Sequence, residues 1–177
     1  MGTLANRMIR AARLDVTLYE EVEADRQATG QAMLVVIFVS LATGLGALTS
    51  AGGIGLLWGM VAGLLGWVVW AFLTYFIGTR VLPEPQTQAD MGQLLRTIGF
   101  SSSPGVLRIL GLVPGLWALA VVITSLWMLV AMVIAVRQAL DYHSTWRAVL
   151  VCFAGWLVQL FLLSLVVRPM GWGPPAM

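Results

Sequence analysis

Apolar residues in this chain fall into long runs separated by short polar stretches. Residues 27–79 contain no charged side chain, and neither do 109–136 or 148–167. A helix needs roughly 20 apolar residues to cross a hydrocarbon core of about 30 Å. The first stretch is long enough for two such helices. One is predicted over about 31–49, followed by a tight, uncharged turn at Ser50-Ala51-Gly52-Gly53. The second is predicted over 54–78 and ends before Arg80, Pro83 and Pro85. Two more cover 116–136 and 148–167.

The segment 92–114 (GQLLRTIGFSSSPGVLRILGLVP) is harder, because it holds two arginines, three serines and an internal proline, Pro104, among several glycines. Hydropathy alone leaves it out of the membrane, and the placement of arginines brings it in. If 93–114 crosses, then Arg7, Arg10, Arg13, Arg26, Arg80, Arg137 and Arg147 share one side, with Arg96 near it. Arg168 is then alone on the other side, with Arg108 nearby. The excess of positive charge on cytoplasmic loops favours that arrangement. The expected fold is all-α: a polytopic membrane helix bundle of five spans, the third short and broken at Pro104. The N-terminus is expected in the cytoplasm and the C-terminus outside, in the cell membrane.

Composition supports the membrane reading and narrows what else is possible. Of 177 residues, 59% are hydrophobic and 10% charged, against about 25% charged in ordinary soluble domains. A soluble globule, a disordered tail and a disulfide scaffold are excluded. The net charge of +2 reflects arginines flanking apolar spans, not a patch for nucleic acid. The single Cys152 lies inside a span, so no intramolecular disulfide can form.

Residues 1–28 carry dense mixed charge and lack the apolar core of a signal peptide. Leu4, Met8, Ala11, Ala12, Tyr19 and Val22 recur at roughly helical spacing. This segment reads as an amphipathic helix on the cytoplasmic membrane face, or as a solvated helix preceding the first span. Residues 29–168 form the membrane domain and 169–177 a short tail. Trp67, Trp70, Trp117, Trp146 and Trp172 fall near span ends, as interfacial aromatic belts do. Trp58, Trp127 and Trp156 lie deeper.

Candidate chemistry is sparse. Gly55, Gly59 and Gly63 repeat at small-xxx-small spacing in the second span, which lets another helix backbone approach closely. Ser40 and Gly44, with Ala47, offer a partner surface in the first span, and the contact could lie within one chain or between two copies. Ser101, Ser102, Ser103 and His143 raise the question of an intramembrane hydrolase. However, His143 belongs to a charged loop, and serines beside Pro104 suit backbone groups freed by the helix break. One His and one Cys cannot build a zinc shell, and no His inside a span could ligate a haem. No catalytic, metal or cofactor site is expected. Arg108 is the one ionisable group well inside a span. It can extend to the outer interface or bind lipid phosphate.

Within this frame, Leu95-Arg96-Thr97-Ile98-Gly99-Phe100, then Pro104 and Ile109 to Pro114, resemble the Gly-aromatic element and broken span of the Yip family. These are the Ypt/Rab-interacting membrane proteins, and the likeness is to their bacterial branch. Leu126-Trp127 onward to Ala135-Val136-Arg137-Gln138-Ala139-Leu140-Asp141-Tyr142 resemble its fourth span and following loop. For a bacterial chain the resemblance implies a fold and an inner-membrane location, and leaves the biochemical role undefined. The family's acidic motif ending in Tyr-Gly-Pro is not matched, since Asp15 to Glu23 (DVTLYEEVE) lacks the Gly-Pro.

The expected function is therefore a non-enzymatic scaffold, membrane organiser or accessory subunit that binds partners at its cytoplasmic face. The expected partners are the bilayer, other membrane proteins or copies of itself, with no nucleic acid and no small-molecule substrate. Arg7, Arg10, Arg13, Glu20, Glu21, Glu23 and Arg108 are the expected partner or lipid contacts. The alternative is a small channel or transporter lined by the broken third span, with Arg96, Ser101, Ser102, Ser103 and Arg108.

Overall fold

The computed structural model describes residues 2–46 and 48–167, those at 48–59, 62, 160 and 162–167 by backbone alone. The described chain is all-helical. Seven α-helices follow in order: α1 (Leu4–Ala12), α2 (Val16–Ala24), α3 (Ala28–Gly46), α4 (Leu48–Phe76), α5 (Met91–Ser101), α6 (Trp117–Ala139) and α7 (Thr145–Val167). A π-helical turn, Ile77–Val81, extends α4, and a 3-10 segment, Ser103–Leu112, follows α5. Among the described residues three helices are long and apolar enough to cross a membrane: Ala28–Gly46, Gly63–Val81 and Trp117–Ala139.

Helix α3 occupies the middle, packed on α4, α5 and the 3-10 segment; α6 packs on α5 and the 3-10 segment, and α7 closes against α6 and α4. One buried cluster joins Ala71, Leu94, Ile98, Leu140 and Val151. A second joins Ala11, Leu18, Tyr19 and Val22 to Val35, Val39, Phe100 and Ala135. Outward faces are apolar as well. Leu65 is 61% exposed, Phe72 53% and Leu126 61%, more apolar surface than a water-soluble monomer normally leaves uncovered.

The expected turn at Ser50-Ala51-Gly52-Gly53 is not there: these residues are helical, within α4. Glycine and small residues are common in apolar spans, and without a proline or a charge nothing at 50–53 forces the helix to stop. The break at Pro104 does fall where the α-helix gives way to 3-10 geometry. Proline has no N–H to donate and its ring crowds the preceding turn, so the last carbonyls of α5 lose helical partners. The serine hydroxyls supply new ones: Ser101 donates to Ile98 O at 2.8 Å, Ser102 to Gly99 O at 2.6 Å and Ser103 to Phe100 O at 2.6 Å.

The N-terminal segment differs most from expectation. It is two short helices folded back on each other, with α1 capped by Thr3 and α2 by Asp15. Helix α1 ends in a Schellman motif: Leu14 N–H donates to Ala11 O and Asp15 N–H to Arg10 O. The left-handed position of that motif, usually glycine, is Leu14 with φ 61°. The apolar side of this hairpin is covered by protein: Ala11, Leu18, Tyr19 and Val22 are fully buried. Burying each large side chain contributes about 1.5–3 kcal/mol, so the hairpin is part of the bundle.

Candidate functional site

Polar groups gather at the end of the bundle that carries the hairpin and the loops 82–90 and 140–144. Arg7 is 2% exposed and reaches three elements. Its Nε donates to Glu21 Oε1 at 3.0 Å, its Nη1 to Gln31 Oε1 at 2.9 Å and its Nη2 to Asp25 Oδ2 at 2.8 Å. Arg10 extends the network to Asp15 at 2.8 Å, Glu21 at 2.5 Å and Thr17 at 3.0 Å. A guanidinium has five donors in a fixed fork, which lets one side chain tie α1, α2 and α3 together.

The titration of these groups follows from that geometry. Hydrogen bonding from Arg10, then Arg7, holds the Glu21 carboxyl below its ordinary value against the opposing effect of burial. Asp15, through Arg10 and Thr17, and Asp25, through Arg7, are lowered likewise. Glu23 goes the other way. Burial first, and then the charge of Asp141, push it up to about 7.

The bundle also supplies acceptor-seeking groups to the hairpin's helix ends. The last carbonyls of a helix have no partner within it and carry the negative end of the helix dipole. Arg96, 5% exposed, donates through Nε to Val22 O at 2.9 Å and through Nη2 to Glu23 O, so it caps α2. Trp127 Nε1 donates to Ala12 O at 2.7 Å and caps α1. Gln138 donates to Glu20 at 2.9 Å and Gln93 to Glu23 at 3.1 Å. The hairpin is thus latched to α3, α5 and α6.

Beside it the two loops lock together. Arg147 donates to Pro83 O at 2.9 Å and pairs with Glu84 at 3.4 Å. The Glu84 carboxylate also accepts the backbone N–H of His143 at 3.0 Å. The Tyr142 hydroxyl lies 2.9 Å from Gly78 O and 2.7 Å from Leu82 O, carbonyls at the π-helical turn.

At the other end the polar groups are few. Arg108, on the 3-10 segment, donates through Nε to Thr124 Oγ1 at 3.1 Å and through Nη2 to Ser125 Oγ at 2.9 Å. No carboxylate pairs with it among the described residues. It lines a cavity of about 450 Å³ together with Ser40, Thr43, Gly44, Trp67 and Met128.

Each predicted position can now be placed. Gly63 meets Ser40, whose Oγ occupies the space a Cβ would need, so this contact lies within one chain. Gly44 faces the cavity, while the surroundings of Gly55 and Gly59 lie outside the described residues, as do Trp58 and Trp172. Arg7, Arg10 and Glu21 are engaged with one another, Glu20 and Glu23 hold bundle glutamines, and Arg13 is exposed. Of the proposed channel lining, Arg96 is committed to α2 and only Ser102 and Arg108 line the cavity. His143 sits in the loop that Glu84 ties down, and the three serines donate to their own helix. Among the described residues no group of three or more His, Cys, Asp and Glu side chains could hold a metal ion.

The close approach of α5 and the 3-10 segment to α3 was missed in the sequence, although Gly99 and Ser103, and Ser101 and Gly105, stand four apart. A Cβ on Gly99 would lie 2.7 Å from Ala32 Cβ, and one on Gly105 2.6 Å from Val39 Cγ1. Gly105 follows the helix break, and its need for space is set by the 3-10 geometry. The capping role of Arg96 was also missed, because a backbone carbonyl has no signature in sequence.

The arrangement defines an all-helical protein with apolar helices of membrane-crossing length, and its polar residues are spent on holding helices together. The family comparison agrees: the Yip1 domain matches residues 17–166, and the chain belongs to that family. The Yip1 family is not an enzyme family. No curated protein and no solved structure matches the chain.

Proposed function

We propose that the protein is a non-enzymatic, five-span membrane scaffold or accessory subunit. It presents the latched hairpin and the locked 82–90 and 140–144 loops to partner proteins on the cytoplasmic side of the cell membrane. One observation carries this reading. The polar side chains build a folded platform at one end of the bundle, and those described do not converge as nucleophile, base and oxyanion donors would.

The third crossing is supported by length. Helix α5 has 11 residues and the 3-10 segment 10. At about 1.5 Å and 2.0 Å per residue they total roughly 36 Å, enough for a core of about 30 Å. Arg96 near one end touches the hairpin, and Gly111 near the other packs on Gly46 and Trp117. The arginine distribution then puts the hairpin in the cytoplasm.

Two measurements test the proposal. Single cysteines at Arg13 and in the tail after Val167, probed with an impermeant thiol reagent in sealed inside-out vesicles, are expected to react and stay protected respectively. Reaction of both would remove the five-span topology. Crosslinking in native membranes from positions Arg13, Arg26 and Gln86 is expected to capture a reproducible protein neighbour. A chain that remains a lone monomer at all three would remove the scaffold role.

A further inference from the structure

The cavity near Arg108 has a polar end and an apolar end. Toward the Gly46–Trp117 end of the bundle its wall carries Thr43, Gly44 and Arg108. Toward the middle it carries Val36, Trp67, Trp70, Ile98 and Met132, with the uncharged polar Ser40, Ser102 and Gln159 also in its lining. Its volume of about 450 Å³ falls in the range of about 300–1,000 Å³ usual for small-molecule sites. Arg108 lies beside Thr124, seven positions into α6, so about 10 Å from the Trp117 end at 1.5 Å per residue.

Among the described residues the charge in this cavity is uncompensated. Guanidinium groups at membrane depth ordinarily pair with an acid or with backbone carbonyls, yet the acceptors described for Arg108 are two neutral hydroxyls. Thr124 Oγ1 is itself turned toward Ala120 O at 2.7 Å, which directs its lone pairs to the arginine. That leaves Nη1 of Arg108 without a protein acceptor among the described residues. Two hydroxyls orient the fork, and an anion is needed to complete it.

We propose that this cavity holds one anionic phospholipid, its phosphate on Arg108 and part of an acyl chain against Val36, Trp67 and Met132. Charge complementarity selects the phosphate, and the position of Arg108 about 10 Å from the Trp117 end, with apolar side chains further in, suits a lipid entering from that side. A phosphate diester keeps its negative charge while its chain stays in the apolar part, which a free anion does not exploit. The site is separate from the hairpin platform and does not depend on the scaffold reading.

Native mass spectrometry of the full chain in neutral detergent tests it, with phosphatidylglycerol, phosphatidylcholine or inorganic phosphate added. One phosphatidylglycerol is expected to be retained in preference to phosphatidylcholine, and inorganic phosphate at the same concentration is expected not to displace it. Arg108→Gln is expected to lower retention about tenfold or more, the equivalent of losing one charge-assisted hydrogen bond. Arg108→Lys keeps part of it, and Arg80→Gln, at an exposed arginine outside the cavity, has no effect.

Equal retention of both lipids, displacement by free phosphate, or an equal loss in Arg80→Gln would overturn the proposal. Because misfolding of Arg108→Gln would also lower retention, the unaltered protein gives an independent readout: phosphatidylglycerol with a photoreactive headgroup. Crosslinks are expected to concentrate on residues 40–44 and 108–117, and crosslinks spread evenly over the bundle would count against the site.

Discussion

Two arginines, Arg7 and Arg108, show how differently one residue type is used at the two ends of this molecule. Arg7 is enclosed by two carboxylates and an amide, all within 3.0 Å, and every polar group around it belongs to the same chain. Arg108 has two hydroxyls and no carboxylate among the described residues. Removing an ion from water costs several kcal/mol and is offset only by good partners. The hairpin end meets that requirement internally, as a structural joint does. The opposite end leaves it open, as a binding site does. Burial of charge alone does not distinguish the two; the completeness of the partner set does.

The comparison is broken most directly at Arg7. Arg7→Leu leaves Asp25 without its counter-charge and Glu21 with Arg10 alone, and is expected to cost about 3 kcal/mol, the usual scale for breaking a buried pair. Thermal unfolding in detergent should fall clearly, and limited proteolysis should cut first within residues 1–27. Arg96→Leu comes next: it strips two charge-assisted caps from α2, at about 2 kcal/mol, with the same proteolytic signature. If either variant unfolds the bundle while leaving the hairpin protected, the hairpin is not the weaker unit.

Gly99→Val tests packing in place of charge. Its Cβ would press on Ala32, and overpacking of this kind costs about 1–3 kcal/mol. Here the loss should appear in the α3–α5 contact and hence in global stability, with the proteolysis of residues 1–27 no earlier than that of the rest. Early cutting at the hairpin alone would place the strain elsewhere.

A pH series sharpens the comparison further. Glu23 binds its proton more tightly in the latched state, at about 7 against an ordinary 4.5. Its contribution to latching is therefore full below about 4.5 and is lost as pH rises through 7. Asp15, Glu21 and Asp25 are shifted down, so their contribution is present above their ordinary values and lost only as pH falls through the acid range. Between pH 6 and 8 only Glu23 among these four changes state. Hydrogen exchange in α2 should rise over that interval, and Glu23→Gln should flatten the rise. The smallest effect is expected from Leu14→Gly, which relieves a left-handed strain of about 1–2 kcal/mol but gives up some packing. Stability should change by less than about 1 kcal/mol.

What could be read in advance follows from which interactions are local. Uninterrupted apolar runs report long helices because a helix satisfies its own backbone, and Pro104 reports a break because its ring acts on neighbours a turn away. Residues 50–53 mislead because small residues stop a helix in water and not in apolar surroundings. The hairpin could not be seen: its turn is marked by Leu14, a residue with no preference for positive φ, where glycine would have announced it. Nor could the pairing of Arg7 with Asp25 and Gln31, or of Arg96 with the carbonyls of Val22 and Glu23. A count of cytoplasmic arginines treats those side chains as free, and only the tertiary fold shows which are already taken.

The bond from Trp127 to Ala12 spans 115 positions in sequence, and that from Gln138 to Glu20 spans 118. A growing chain emerges from its N-terminal side onward, and domains take shape in that order where their contacts are local. This hairpin cannot follow that order, since α5 and α6 must exist before its helix ends are capped. Through most of synthesis the carbonyls of Ala12, Val22 and Glu23 therefore lack their caps, and the earliest part of the described chain is among the last to settle. Assembly of α6 on α5 and the 3-10 segment is what lets it close, so the latched hairpin also marks a bundle that has been built through its sixth helix.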